Sequence, residues 1–149
     1  MKIRIDQSWK IEDTSKHTVI AFSNSKSFSV LIPANDKKKL QELFRDAKKP
    51  RIFVYKTFSI LVFCLIKNHL KDLDSIEIGK EYPEREDLIK DFLLQMIWNK
   101  QSNFDKNKIR FVNVTKRSKS HKLAYSVFRK KKKPNKVVSY KDVLRYLLK

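Results

Sequence analysis

The chain has one glycine, Gly79, in 149 residues. Walker-type phosphate loops and Gly-rich dinucleotide fingerprints need several glycines, because the backbone must approach phosphate closely. Both are excluded, which argues against nucleotide-driven chemistry. Turns must instead be built from Asn, Asp, Ser, Lys and the four prolines. The single cysteine, Cys64, excludes an intrachain disulfide and a cysteine-based zinc site. It lies in an apolar run and reads as a buried thiol packing as a small apolar side chain. That usage suits a reducing, intracellular compartment, the cytoplasm. No apolar h-region follows Met1-Lys2-Ile3-Arg4-Ile5-Asp6, so no signal peptide is expected. The longest apolar stretch, Phe58 to Ile66, is too short to span a bilayer.

Negative charge is also scarce. Sixteen Asp and Glu face 35 Lys and Arg, for a formal charge of +19. Such an excess repels itself in a compact state, so a polyanionic partner is expected. Nucleic acid, DNA or RNA, gains affinity by releasing counterions from phosphate. An anionic membrane surface ranks lower, because no long basic amphipathic stretch with an exposed aromatic face stands out. The bland alternative is a solubilising surface. Apolar residues reach 41%, with ten Phe and five Tyr, too many for a disordered chain. The length suits one domain, residues 1–149, with a proper core.

Alternation in Lys2 to Asp6 predicts a strand that ends on a carboxylate. Thr18 to Ser23 and Phe28 to Ile32 predict two more, joined by a turn at Asn24-Ser25-Lys26. Asn35 is placed to cap a helix through Ala47, with Leu40, Leu43, Phe44 and Ala47 at helical spacing. Arg51 to Tyr55 reads as a strand. Phe58 to Leu70 reads as a buried helix, although Ile60 to Ile66 also suits a buried strand. Asp74 to Glu81 and Lys108 to Val114 read as strands, and Glu84 to Trp98 as a helix whose opening acids complement its dipole. Ser118 or Ser120 starts a helix through Phe128, and Ser139 caps a last one from Tyr140 to Leu148. A meander followed by strand–helix alternation predicts an α/β fold, one mixed sheet with helices on its faces.

The charges are segregated. The basic segment 116–136 carries ten cations and no acid: Lys116, Arg117, Lys119, Lys122, Arg129, Lys130, Lys131, Lys132, Lys133 and Lys136. It reads as a phosphate-binding arm, with a solvated loop as the alternative. Phe104, Tyr125 and Tyr140 are candidates to stack on bases, with core packing as the default. An acidic protein partner is a third use for the same arm. Eight of the sixteen acids fall between Asp72 and Asp91. Glu84, Glu86 and Asp87 suit a helix start; Glu77 and Glu81 share strand parity and are open as metal ligands. Asp6 is the most unusual carboxylate, because burying a charge costs several kcal/mol unless it is paired or bound to metal. It either belongs to a site or caps the turn after its strand. His17 and His69 show no ligand spacing.

Taken together, Ile3-Arg4-Ile5-Asp6-Gln7-Ser8, Ser75-Ile76-Glu77-Ile78-Gly79-Lys80-Glu81 and Ser120-His121-Lys122-Leu123-Ala124 resemble the ribonuclease H-like superfamily of nucleases and resolvases. That resemblance implies three antiparallel strands followed by alternating helices and strands. It also implies an acid on the first strand, a second on a later strand and a third ligand on the closing helix. Asp6 with Glu77 or Glu81 would then hold Mg²⁺ or Mn²⁺ ions about 3.5–4 Å apart for phosphodiester hydrolysis. His121 would be the third ligand or a general acid/base. His121 stands where the superfamily usually has Asp, and Trp9 stands where a small residue would leave substrate room. A degenerate, non-catalytic DNA- or RNA-binding member is the alternative.

Overall fold

The computed structural model describes residues 1–147. It is an α/β fold with the strands β1 (Lys2–Ser8), β2 (Thr18–Ser23), β3 (Ser27–Ile32), β4 (Ser75–Gly79), β5 (Ile109–Val112) and β6 (Lys136–Val137). The helices are α1 (Ala34–Asp46), α2 (Ile52–Ile66), α3 (Glu86–Lys100), α4 (Lys119–Phe128) and α5 (Tyr140–Leu147). The strands form one mixed sheet in the order β5-β4-β1-β2-β3-β6. β1 lies in its interior, antiparallel to β2 and parallel to β4. The β2–β3 hairpin closes through Asn24 N–H to Lys26 C=O at 2.9 Å, as the polar turn predicts. Among the described residues, no helix is long and apolar enough to cross a membrane.

Strand alternation divides the molecule into two unequal layers. Ile3 and Ile5 of β1, Ile20 and Phe22 of β2 and Ile76 and Ile78 of β4 enter the main core with residues of α1, α2, α3 and α5. The opposite face carries α4, which packs Ala124 and Val127 on Val19 and Ala21. Arg4, Asp6 and Ser8 share that second face by parity.

Four readings of the sequence need correction. Arg51 to Tyr55 is not a strand: Ile52 opens α2, of whose 15 residues 11 are buried. Nothing between Tyr55 and Phe58 breaks the chain, and an apolar run buried all round has no periodicity to separate helix from strand. Asn35 does not cap α1, which starts one residue earlier after Pro33 without a side-chain cap. α3 begins at Glu86, because Glu84 adopts a left-handed φ of 70° in the preceding turn. β6 was not expected; two residues are too few to alternate. Ser139 does cap the last helix, its Oγ accepting from the Asp142 N–H at 3.2 Å. The helix's expected final residue, Leu148, lies outside the described residues.

One buried cation anchors the long loop between β1 and β2. Lys37 of α1 is fully buried. Its Nζ donates to Lys10 C=O at 3.2 Å, to Asp13 C=O at 2.7 Å and to Thr18 Oγ1 at 3.0 Å. Burial pulls its pKa from the ordinary 10.5 down to about 8, opposed by Asp13 and Glu12. Between those values the unfolded chain binds more protons, so this group's contribution to stability rises as pH climbs from about 8 to 10.5. The urea midpoint of the natural chain should therefore gain on that of Lys37→Met across that interval. Parallel pH profiles for the two proteins would show that Lys37 titrates as a surface lysine.

Candidate nucleic-acid interface and carboxylate cluster

Asp6 occupies the middle of β1, since the strand continues to Ser8, and is 1% exposed. It does not cap a turn. Its Oδ2 accepts from Arg4 Nε at 3.1 Å and from Ser118 Oγ at 2.6 Å. Arg4 is two residues earlier on the same face of the strand, and its Nη2 also donates to Asn113 C=O at 2.5 Å. Ser118 caps α4: its Oγ accepts from the His121 N–H at 3.0 Å while donating to Asp6. Ser120 makes a second tie, accepting from the Ser23 N–H at 2.9 Å. The start of α4 is thus bonded to both central strands.

The other carboxylate oxygen, Asp6 Oδ1, is buried without a hydrogen-bond partner. Gly79 of β4 lies against it, and a Cβ on Gly79 would stand 3.2 Å from that oxygen. The one glycine of the chain therefore permits close approach of β4 to the buried acid.

Glu81 lies just past β4. Its Oε2 pairs with Lys10 Nζ at 3.3 Å, its Oε1 is buried and unpartnered, and its side chain is 10% exposed. Burial pushes its carboxyl above the usual range; Lys10 opposes that rise, and the charge of Asp6 adds to it. Glu77 does something different. It sits in register with Arg110 on β5 and forms an ion pair with it. His121 is half-buried in the first turn of α4, with Nδ1 buried and unpartnered. Asp6 and Glu81 are thus close enough for one charge to act on the other, whereas Glu77 is engaged elsewhere. Among the described residues, no three His, Cys, Asp or Glu side chains are grouped so as to hold a metal ion.

Sequence reasoning singled out Asp6, Glu81 and His121 but missed their neighbours. Arg4 was visible as a cation at i−2 on the same strand face, and Gly79 as an isolated glycine in a strand. The bond from Ser118 to Asp6 spans 112 residues and left no local signal.

Most of the basic segment belongs to α4, the turn after it and β6. Lys119 and Lys122 lie on α4, which ends in a turn where Lys130 adopts φ 62°. There the N–H groups of Arg129, Lys130 and Lys131 bond back to Tyr125, Val127 and Ser126 C=O at 2.8, 3.0 and 2.9 Å. The chain then joins the sheet at β6, where Asn135 Oδ1 accepts from the Ser29 N–H at 2.8 Å. Of the ten cations only Lys136 is partly buried; the rest are exposed. None of them pairs with a carboxylate among the described residues. Tyr125, 49% exposed, presents its ring beside them with the Arg129 guanidinium 5.9 Å from its centroid. Phe104 is core, and Tyr140 is half-buried with Lys39 Nζ 4.6 Å from its ring centroid.

No family model, curated protein or solved structure matches this chain.

The Asp6–Ser118 contact predicts a thermodynamic coupling. Ser118→Ala removes a helix cap and a donor to a buried carboxylate, and should cost about 1–3 kcal/mol. Asp6→Asn should cost a similar amount, because Arg4 and Ser118 both lose a charged acceptor. The double variant should lose less than the sum of the two, by at least about 0.5 kcal/mol in urea denaturation. Strict additivity would mean that the contact contributes nothing.

Proposed function

We propose that this protein is a nucleic-acid-binding module of the ribonuclease H-like type, which seats the phosphate backbone on α4 and on the cationic turn that follows it. The observation carrying this reading is the surface made by residues 116–136: ten cations, nine of them exposed, none paired with a carboxylate among the described residues, eight of them on a helix–turn–strand unit and two in the turn before it. A backbone already folded into a helix and turn loses less entropy on meeting phosphate than a disordered tail would. Tyr125 adds a ring face on which a base can stack. The ribonuclease H-like assignment draws support from the antiparallel β1–β2–β3 meander, from β4 lying parallel beside β1, and from α4 closing over the central acid.

A second reading, hydrolysis of phosphodiester bonds with Mg²⁺ or Mn²⁺, is favoured by the orphaned oxygens Asp6 Oδ1 and Glu81 Oε1 and by the orphaned His121 Nδ1. Against it, Asp6 Oδ2 is taken by Arg4 and Ser118, Glu77 is taken by Arg110, and the position in register beyond Ile5–Ile78 is glycine. The residues present do not fit a two-metal centre, and binding stands first.

Binding should weaken steeply with salt. Replacing the turn by Arg129→Ser, Lys130→Ser, Lys131→Ser, Lys132→Ser and Lys133→Ser should lower affinity and reduce the slope of log K against log salt by up to about 4. An unchanged slope in fluorescence anisotropy would put phosphate elsewhere. For the second reading, duplex, hybrid and branched substrates are incubated with either metal. Cleavage that persists in the natural chain and vanishes in Asp6→Asn, with binding retained, would overturn the ranking in favour of catalysis.

A further inference from the structure

On the far side of the sheet from α4, a cavity of about 390 Å³ opens between α2, α3 and α5. Its chemistry is asymmetric. Three lysines line it, Lys56 from α2, Lys67 just past the end of α2 and Lys100 at the end of α3, and no carboxylate of the described residues lines it. None of the three makes an ion pair among the described residues. Lys56 Nζ lies instead over the Phe92 ring, 4.2 Å from its centroid. Lys67 Nζ donates to Tyr146 Oη at 3.2 Å. Both lysines are half-buried, so their charges are held at the wall of the cavity and not extended into water.

The remaining walls are of two kinds. Phe63, Phe92 and Tyr146 supply aromatic surface, with Phe63 and Tyr146 edge to face at 5.4 Å between centroids. Gln95 and Asn99, one turn apart on α3, supply amides that offer both a donor and an acceptor. The volume lies in the range of small-ligand sites, which are mostly apolar with a few convergent polar groups. Cations without counter-ions among the described residues call for an anion, flat rings call for a planar body, and paired amides call for an edge that donates and accepts.

We infer that this cavity binds a single nucleotide unit, a base with a terminal phosphate, the phosphate on Lys67 and the Tyr146 hydroxyl and the base against Phe92, Gln95 and Asn99, where Lys56 lies about three helical turns from Lys67. The unit comes either as a free nucleoside monophosphate or as the phosphorylated end of a strand. The site does not depend on the α4 surface, which lies across the sheet.

The test uses the full chain with AMP in isothermal titration calorimetry, beside adenosine and inorganic phosphate. AMP should bind at one site, at least tenfold tighter than adenosine. Lys67→Gln and Lys56→Gln should each weaken it at least fivefold with an unchanged melting temperature. Phe92→Leu should weaken AMP while leaving phosphate alone unaffected. The variant with the five turn cations replaced by Ser should bind AMP as the natural chain does; loss of AMP binding there, with retention in Lys56→Gln and Lys67→Gln, would overturn the site, as would AMP binding no tighter than phosphate. A 5′-phosphorylated oligonucleotide compared with its unphosphorylated form, both on the turn variant, separates the two sources. A gain from the phosphate larger than that of AMP over adenosine identifies a strand end, and a smaller gain identifies the free nucleotide. Loss of oligonucleotide binding by the turn variant, with AMP binding intact, concerns the α4 surface alone.

Discussion

The covering of β1 on both faces is the constraint on which the rest of the molecule depends. A strand paired on both sides and packed above and below shields its inner residues from water, and Asp6 is one of them. An uncompensated carboxylate there would cost several kcal/mol. Arg4 and Ser118 supply the compensation, and in doing so they fix geometry. Ser118 can reach Asp6 only if α4 starts over the central strand, and Arg4 also holds the chain after β5 through Asn113. The position of the cationic turn follows, because α4 leads directly into it.

The two faces of the sheet are built on different principles. One is a thick layer of four helices in which apolar burial dominates. The other is a single helix held by a smaller apolar cluster, by the stacking of Phe128 on Trp9, by the bond between His17 Nε2 and Phe128 C=O and by two serine side chains. Charge is segregated as well: half of the acids lie around β4 and the start of α3, and ten cations without a carboxylate partner among the described residues lie on and around α4. Repulsion among those cations is strongest where the packing is thinnest, an arrangement that a polyanion would relieve.

Much of the architecture was legible from local pattern. β1, β2 and β3 alternate with period two, and the polar triplet between the latter two can only turn. What failed did so for physical reasons. Ile52 to Tyr55 is rich in β-formers, but those residues are the first turn of a helix buried on every side, where tertiary packing overrides propensity. Lys37 stands in the run Lys37-Lys38-Lys39, which reads as surface; only the fold of the preceding loop brings carbonyls to it. Asp6 was legible as an anomaly because its cost is local. Its partner Ser118 was not, because hydrogen bonds between distant segments leave no periodicity. Glu77 and Glu81 were equivalent by parity and diverge because β4 ends between them, leaving one to pair across the sheet and the other to fold back toward Lys10.

The slenderness of the second apolar contact has a kinetic meaning. Val19, Ala21, Ala124 and Val127, with Leu31, Leu123 and Phe128 packed beside them, form a patch smaller than the main core that holds α2, so α4 is the natural unit of partial opening. Its departure would leave the main core intact and would free the Oδ2 side of Asp6 from its serine. In amide exchange, α4 and the turn beyond it would form one foldon, opening well before the sheet. A ligand seated on that helix would then act as a latch, slowing the exchange of a segment whose closure the protein alone keeps only modestly favourable.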